Sequence, residues 1–359
     1  MEQHEAILIN DQELKAAEYT LRSKKYTGPD AIRFSTFNRI LSLEPEILGD
    51  FARLSYATGH ISDHAKQTQG SLLPKKVPGK FRAVHIATPL AAYLELVALG
   101  RLEHALEKKG LKDENQYGFC KNRSRHDLVT VVIAEIAKHR ASVREKYEDK
   151  ATARQNLSTI IGLDVKGAFD NVSQVHIIKK IYRELADNPI RHWIRSFMLN
   201  RSIKIRYNGL SSENSGIYKG VPQGSAQGPI LWNYSISDLD KYVNVPRDEN
   251  TTILAYANDS TILSSGAKNH ENAQNLLDRI SRYVKLRGLE IRAGKSELLH
   301  IVGSGRRTKE EDIPKYSIDS KEITPKDCLK ILGIPIGNFL QLKYDNKDIQ
   351  DKIDKGKNC

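Results

Sequence analysis

The chain has 359 residues, with 56 lysines and arginines against 44 aspartates and glutamates, a formal charge of +12, and 39% hydrophobic residues. That balance excludes extended disorder and implies a core-forming basic protein of two to three domain-sized units whose partners are polyanions. Cys120, Cys328 and Cys359 are too far apart for a Cys-x-x-Cys zinc site and too few for a disulfide scaffold, which points to a reducing compartment, cytoplasmic or nuclear.

The first residues, MEQHEAILINDQELK, have no basic segment followed by an apolar core, so no signal peptide is expected. The turn signal Thr27-Gly28-Pro29-Asp30 closes a polar opening segment. An amphipathic helix is predicted next, with Ile47, Leu48, Phe51 and Leu54 on one face and Gly59 as its stop. Residues 71–88 read as strand, turn and strand around Pro74-Lys75-Lys76-Val77-Pro78-Gly79-Lys80. Pro89 to Lys109 has helical spacing and ends at Gly110. Its apolar stretch from Leu90 to Gly100 is broken by Glu95 and is too short to cross a bilayer, so no membrane partner is expected.

A second helix is predicted over about His126 to His139, followed by a charged connection to Asn156. Ser158 to Val165 is a short apolar run of the kind buried sheets use. A helix opened by Ser173 should end at Asn188-Pro189, and Ser202 to Tyr207 alternates as a half-exposed strand. Strands at Thr252–Tyr256 and Ser260–Ser264 flank Ala257-Asn258-Asp259 at hairpin spacing. A long helix from about Asn272 stops at Gly288, and Leu329 to Ile336 reads as one apolar strand before a polar tail. Helices first, then mixed strands and a hairpin, favour an α+β fold over a doubly wound parallel sheet.

Three segments carry chemistry. Asp164 ends a buried strand, where a carboxylate is costly unless it meets a cation or donors. Gly220-Val221-Pro222-Gln223-Gly224-Ser225 lets backbone pass close to a base pair or phosphate ahead of a helix opened by Pro229. The hairpin tip at Asn258-Asp259 can hold an acidic group at a fixed height above a sheet. Each alone is as well explained by a helix cap, a loop or a polar turn.

Together, LDVKGAFDNV, GVPQGS and AYAND occur in the order of the polymerase motifs of reverse transcriptases, and the chain resembles most the enzymes of non-LTR, LINE-like retrotransposons. The resemblance extends to Tyr26–Asp30, to Leu73-Pro74-Lys75-Lys76 with Phe81-Arg82, and to Gln116-Tyr117-Gly118-Phe119 with Lys121, Arg123 and Ser124. It continues through Gly288-Leu289-Glu290 to Lys295-Ser296, and to Leu332-Gly333-Ile334 as the primer-grip strand. It implies a polymerase right hand: a polar extension over residues 1–25, fingers over 26–157, an antiparallel-sheet palm with a ferredoxin-like core over 158–310, and over 311–359 the primer grip and a thumb truncated or absent.

It further implies RNA-templated DNA synthesis from dNTPs on a primer, with an RNA template and a DNA primer as partners and two Mg²⁺ ions, replaceable by Mn²⁺, as cofactors. Asp164, the Val165 carbonyl, Asn258 and Asp259 would line the metals, and Lys295 would protonate pyrophosphate. Lys75, Lys76 and Arg82 would neutralise the triphosphate, Phe169 would gate against a 2′-hydroxyl, and Gln223 and Gly224 would pack on template and nascent pair.

The sequence departs from the family pattern at the hairpin, which usually reads Tyr/Phe-Ala-Asp-Asp and here reads Tyr256-Ala257-Asn258-Asp259. Asn offers a carbonyl oxygen but no charge; a loss of about 4 kcal/mol of transition-state stabilisation would slow synthesis about a thousandfold. Ala83 and Cys120 are lesser departures. No endonuclease region, RNase H acidic set or Cys/His knuckle is recognised. The alternatives are a catalytically inactive, nucleic-acid-binding relative or decayed element fragment, and an RNA-templated RNA polymerase, against which Phe169 argues.

Overall fold

The computed structural model describes residues 9–75, 78–146, 158–243, 251–266, 269–301 and 314–337. The chain divides into two units, each made of two segments: Met1–Lys112 with Gly167–Ser237, and Asp113–Lys166 with Asp238–Cys359.

In the first unit a sheet is built on the hairpin of Gln67–Pro74 and Phe81–Ile86, antiparallel as expected, with Leu73 opposite Arg82. The strand Arg201–Tyr207 adds parallel to Gln67–Pro74, and short strands at Leu210–Ser211 and Ser215–Ile217 pair with it in turn. The helix Pro89–Lys108 is the core of this unit: Ala92, Tyr93, Leu94, Val97, Ala98, Leu102, Ala105 and Leu106 are buried, Thr88 caps its start and Gly110 leaves it in the left-handed region (φ 61°). Glu95 is buried too, and accepts a hydrogen bond from the Gln227 amide at 2.9 Å.

Two expectations in this unit need correction. The helix Pro45–Thr58 forms and stops at Gly59 (φ 62°), but Ile47, Phe51 and Leu54 are exposed and the buried side is Gly49, Ala52, Ser55 and Tyr56. Small residues let that side seat closely: a Cβ on Gly49 would stand 2.9 Å from a Leu14 methyl. The helix opened by Ser173 ends at Glu184, and Pro189 starts a further helix, Ile190–Met198, whose Trp193, Ile194, Phe197 and Met198 are buried.

The second unit is built on a four-stranded antiparallel sheet, in the order Thr251–Tyr256, Asp259–Ser265, Ser158–Asp164, Glu297–Ile301. Alternation splits its apolar residues between two faces. Ile160, Leu254, Leu263, Leu299 and Ile301 pack on Leu128, Val129, Val132 and Ile136 of the helix Arg125–Lys146 and on Leu329, Ile331 and Ile336. The helix Asn269–Lys285 buries Ala273, Leu276, Leu277 and Ile280 and packs on the strands Asp259–Ser265 and Thr251–Tyr256. The helix from Arg125 runs beyond His139 to Lys146, past the point where a connection was expected. The predicted single strand Leu329–Ile336 is a hairpin, Cys328–Ile331 with Ile334–Gly337, because Leu332 and Gly333 both take positive φ (51° and 80°) and turn the chain. Of the expected Leu332-Gly333-Ile334 strand, Leu332 and Gly333 are therefore a turn, and Ile334 begins the returning strand.

Candidate active site

The sheet of the second unit delivers two carboxylates to one end. In the register of Ser158–Asp164 against Asp259–Ser265, Asp164 stands directly opposite Asp259, and Tyr256 stands opposite Asp259 on its other side. Period-two geometry puts these side chains on one face, above Gly162, Thr261 and Leu254. Gly162 carries no side chain there, and a cavity of about 220 Å³ opens at that point, lined by Asp164, Asp259, Tyr256, Thr261, Lys295 and Glu297. Lys295 ends the short 3₁₀ turn Ala293–Lys295, which places it in the same cavity.

The Asp259 carboxyl is held above the usual carboxylate range, first by the desolvation its surroundings impose and then by the negative charge of Asp164, although the residue keeps access to solvent. Two acids set opposite each other in this way repel, and a cation between them would relieve that repulsion.

The hairpin tip differs from expectation by one residue: the turn is Ala257-Asn258 alone, and Asp259 is the first residue of the returning strand. Ala257 sits at φ 56°, a left-handed conformation that costs an alanine about 1 kcal/mol. The fully buried Gln116 side chain holds it there. Its Oε1 accepts from the Ala257 amide at 2.8 Å and from the Gly118 amide at 2.8 Å, and its Nε2 donates to the Ala257 carbonyl at 3.2 Å. Tyr117 N donates to Ala255 O at 2.7 Å, so this segment runs along the hairpin's outer strand. A Cβ on Gly118 would come within 2.2 Å of Ala257 N, which only glycine avoids.

On the other side of Asp164 the chain from Glu290 to Arg292 runs alongside it. Arg292 N donates to Asp164 O at 2.9 Å and Lys166 N to Glu290 O at 2.8 Å, which leaves the Val165 carbonyl outside this ladder. The Arg292 guanidinium reaches the Asp164 carboxylate, with Nη2 at 3.0 Å from Oδ1 and 2.8 Å from Oδ2. Neither this pair nor the Gln116 clamp was found from the sequence. The glutamine was legible only as part of Gln116-Tyr117-Gly118-Phe119, and Arg292 only as one residue between Glu290 and Lys295.

In the first unit the glycine-rich loop is pinned by backbone bonds: Gly220 N to Val172 O at 2.8 Å, Val221 N to Phe169 O at 2.7 Å, and His85 N to Gln223 O at 2.7 Å. Gly220 (φ 81°) lies so close to the Phe169 carbonyl that a Cβ would be 2.6 Å away, and Gly224 (φ 106°) lies as tightly on the His85 carbonyl, at 2.8 Å. Phe169 stacks on Trp232, ring centres 5.6 Å apart. Gln223 Nε2 donates to Asp170 Oδ1 at 2.8 Å. Burial pushes the Asp170 carboxyl up, while Lys75, Gln223, Arg82 and Lys219 pull it back, so three cations act on one carboxylate. Lys219 is an addition to the basic residues read from the sequence. Lys75, Arg82, Phe169, Gln223 and Gly224 thus belong to one neighbourhood of this unit, and Asp164, Val165, Asn258, Asp259 and Lys295 to one neighbourhood of the other. Lys76 lies outside the described residues.

The oxygen donors of the second unit fit a divalent cation: two opposed carboxylates, one of them raised by desolvation and by the charge of the other, beside a backbone carbonyl. Asn258 adds no charge to this donor set, and among the described residues no three acidic, histidine or cysteine side chains gather.

Residues 73–336 match the family described as reverse transcriptase (RNA-dependent DNA polymerase). Among curated proteins, the chain is 22% identical over 287 residues to the probable RNA-directed DNA polymerase from transposon X-element of Drosophila melanogaster, covering 78% of this chain and 29% of that protein. It is 25% identical over 305 residues to the Pol polyprotein from the type-1 retrotransposable element R2 of Popillia japonica, covering 82% and 40%. It is 23% identical over 359 residues to the RNA-directed DNA polymerase from mobile element jockey of Drosophila funebris, covering 94% and 36%. The chain therefore spans well under half the length of these relatives. Among solved structures, apo telomerase from Candida tropicalis, truncated from its C-terminal domain, shares the fold at a TM-score of 0.54 and 14% identity, covering 91% of this chain and 65% of that one. No described helix is long and apolar enough to cross a membrane. The chain belongs to the reverse transcriptase (RNA-dependent DNA polymerase) family, and its relatives are the polymerases of non-LTR, LINE-like retrotransposons.

Proposed function

We propose that the chain is the polymerase core of a reverse transcriptase, copying an RNA template into DNA by adding dNTPs to a primer 3′-hydroxyl, at a rate held down by Asn258. The observation that carries this reading is the register that sets Asp164 opposite Asp259. Asp164, Asp259, the Asn258 side-chain oxygen and the Val165 carbonyl would hold a divalent cation, Mg²⁺ or Mn²⁺. Such an ion supplies charge stabilisation to the reacting phosphate and lowers the pKa of the attacking hydroxyl.

The chain's own residues do the rest. Lys295, in the cavity with both aspartates, donates a proton to the departing pyrophosphate. Lys75, Arg82 and Lys219, whose charges act on the Asp170 carboxylate, balance the triphosphate, and Lys76 would add to them. Phe169, fixed by Trp232, crowds a ribose 2′-hydroxyl and selects dNTPs. Gln223 and Gly224 offer a glycine-bounded backbone edge to the template and nascent pair. In this reading the first unit contributes fingers and palm surface, the second the catalytic palm, and the hairpin Cys328–Gly337 the approach to a thumb.

A second reading is a nucleic-acid-binding relative that holds template and primer without synthesis. It is favoured by one observation, that the Asp164 carboxylate already carries a guanidinium while Asn258 adds no charge. Primer extension on an RNA template with a DNA primer, dNTPs and Mg²⁺ or Mn²⁺ separates the two. Slow but templated extension supports the first; salt-sensitive retention of template–primer with no product supports the second.

A further inference from the structure

The charges around the cavity of the second unit are already nearly balanced by the protein itself. Of its acidic residues, Glu297 is paired with Lys326, and Asp164 with Arg292 through both carboxylate oxygens, at 3.0 and 2.8 Å from Nη2. Lys295 and Lys330 line the same cavity. Among the described residues Asp259 makes no ion pair, and it stands directly opposite Asp164 in the sheet register. The Arg292 side chain is also placed at a cost: its Nε is buried without a hydrogen-bond partner among the described residues. Its position is nevertheless fixed, since its backbone amide is bonded to the Asp164 carbonyl at 2.9 Å.

We propose that Arg292 is the resident counter-ion of Asp164, and that a divalent cation enters this site only by displacing the guanidinium, so that Arg292 sets the affinity of the chain for its cation. The proposal rests on the assignment of Asp164 as a cation ligand made above. A cation arriving at Asp164 must break an ion pair held through both oxygens and then share the cavity with the displaced positive charge. Both effects weaken its binding. Because the backbone bond between Arg292 and Asp164 does not involve the side chain, the strand pairing survives its replacement.

The test is Mn²⁺ binding to the full chain, followed by the loss of the free-ion electron paramagnetic resonance signal at constant ionic strength, with no nucleotide or nucleic acid present. Arg292→Ala and the length-preserving Arg292→Gln are expected to bind Mn²⁺ at least tenfold more tightly than the natural chain. Arg292→Lys, which keeps the charge, stays within about threefold of it. Asp164→Ala abolishes the tightened binding in the Arg292→Ala background. Equal or weaker Mn²⁺ binding by folded Arg292→Ala and Arg292→Gln chains overturns the proposal, and so does tightened binding that survives Asp164→Ala. Primer extension measured on the same chains is a separate readout. Tightened Mn²⁺ binding with no extension by any variant contradicts the polymerase reading alone, whereas extension with unchanged Mn²⁺ binding contradicts this inference alone.

Discussion

The glycine-rich loop in one unit and the hairpin tip in the other are held by the same means, buried amide groups and glycines where no Cβ fits, yet they differ in charge. Around Asp170 three cations, Lys75, Arg82 and Lys219, act on one carboxylate, a basic neighbourhood suited to a polyphosphate. Around Asp259 two carboxylates stand opposite each other, one already paired with Arg292, and the turn residue that could add a third is Asn258. The scaffold of the hairpin is intact even so: Gln116 still grips Ala257 from both sides, and Gly118 still makes room for it. Fold and chemistry are therefore separable here. Asn and Asp have nearly the same shape, so exchanging them leaves the packing in place and removes only a charge that the fold does not need.

The largest expected effect comes from the acidic side of that comparison. Asp164→Ala should leave no templated incorporation detectable in a primer-extension assay. Synthesis retained by that variant would show that the opposed carboxylates are not the reacting centre.

On the basic side, Phe169→Val should raise incorporation of rNTPs relative to dNTPs by about tenfold or more, the usual worth of a filled or emptied methylene-sized space. Unchanged sugar selectivity would remove the gate role and leave Phe169 as a packing partner of Trp232.

Gln116→Ala asks whether the hairpin's grip matters. It strips both bonds from Ala257 and leaves buried backbone groups unpaired, so urea denaturation should show a loss of about 2–3 kcal/mol. A loss under 0.5 kcal/mol would mean that the turn holds itself.

The smallest effect is a pH dependence in the first unit. Burial, with Arg201 nearby, lowers the His85 pKa to about 4 from an ordinary 6.5, and its Nδ1 meets Thr68 Oγ1 at 2.9 Å. Its folded pKa is depressed, so the unfolded chain takes up the proton first. Stability is full above about pH 6.5 and falls as the pH drops toward 4. His85→Gln should flatten part of that fall in urea melts between those limits. An unaltered slope would mean that other groups cause it.

Local features were legible in the sequence because local chemistry sets them. Gly59 and Gly110 as helix stops, the strand returning from Phe81 and the apolar run into Asp164 follow from backbone preference and period. The same reasoning misjudged the helix Pro45–Thr58, because periodicity finds an apolar face but not whether anything covers it; here the small side, Gly49 and Ala52, is the one that packs. It merged Cys328–Ile331 with Ile334–Gly337 because the turn depends on a positive φ at Leu332, which sequence disfavours. In the site, the ordered motifs gave Asp164 and Asp259, whereas Gln116 and Arg292 act on residues more than a hundred positions away. Only the assembled sheet brings them there.

In the proposed reading Asp164 and Asp259 form a reacting centre limited by one missing charge. Its most direct test compares the natural chain with Asn258→Asp in primer extension on an RNA template at saturating Mg²⁺ and dNTPs. The account predicts that the substitution raises the incorporation rate by about a thousandfold, equivalent to about 4 kcal/mol of transition-state stabilisation. Equal rates for the two chains would contradict it.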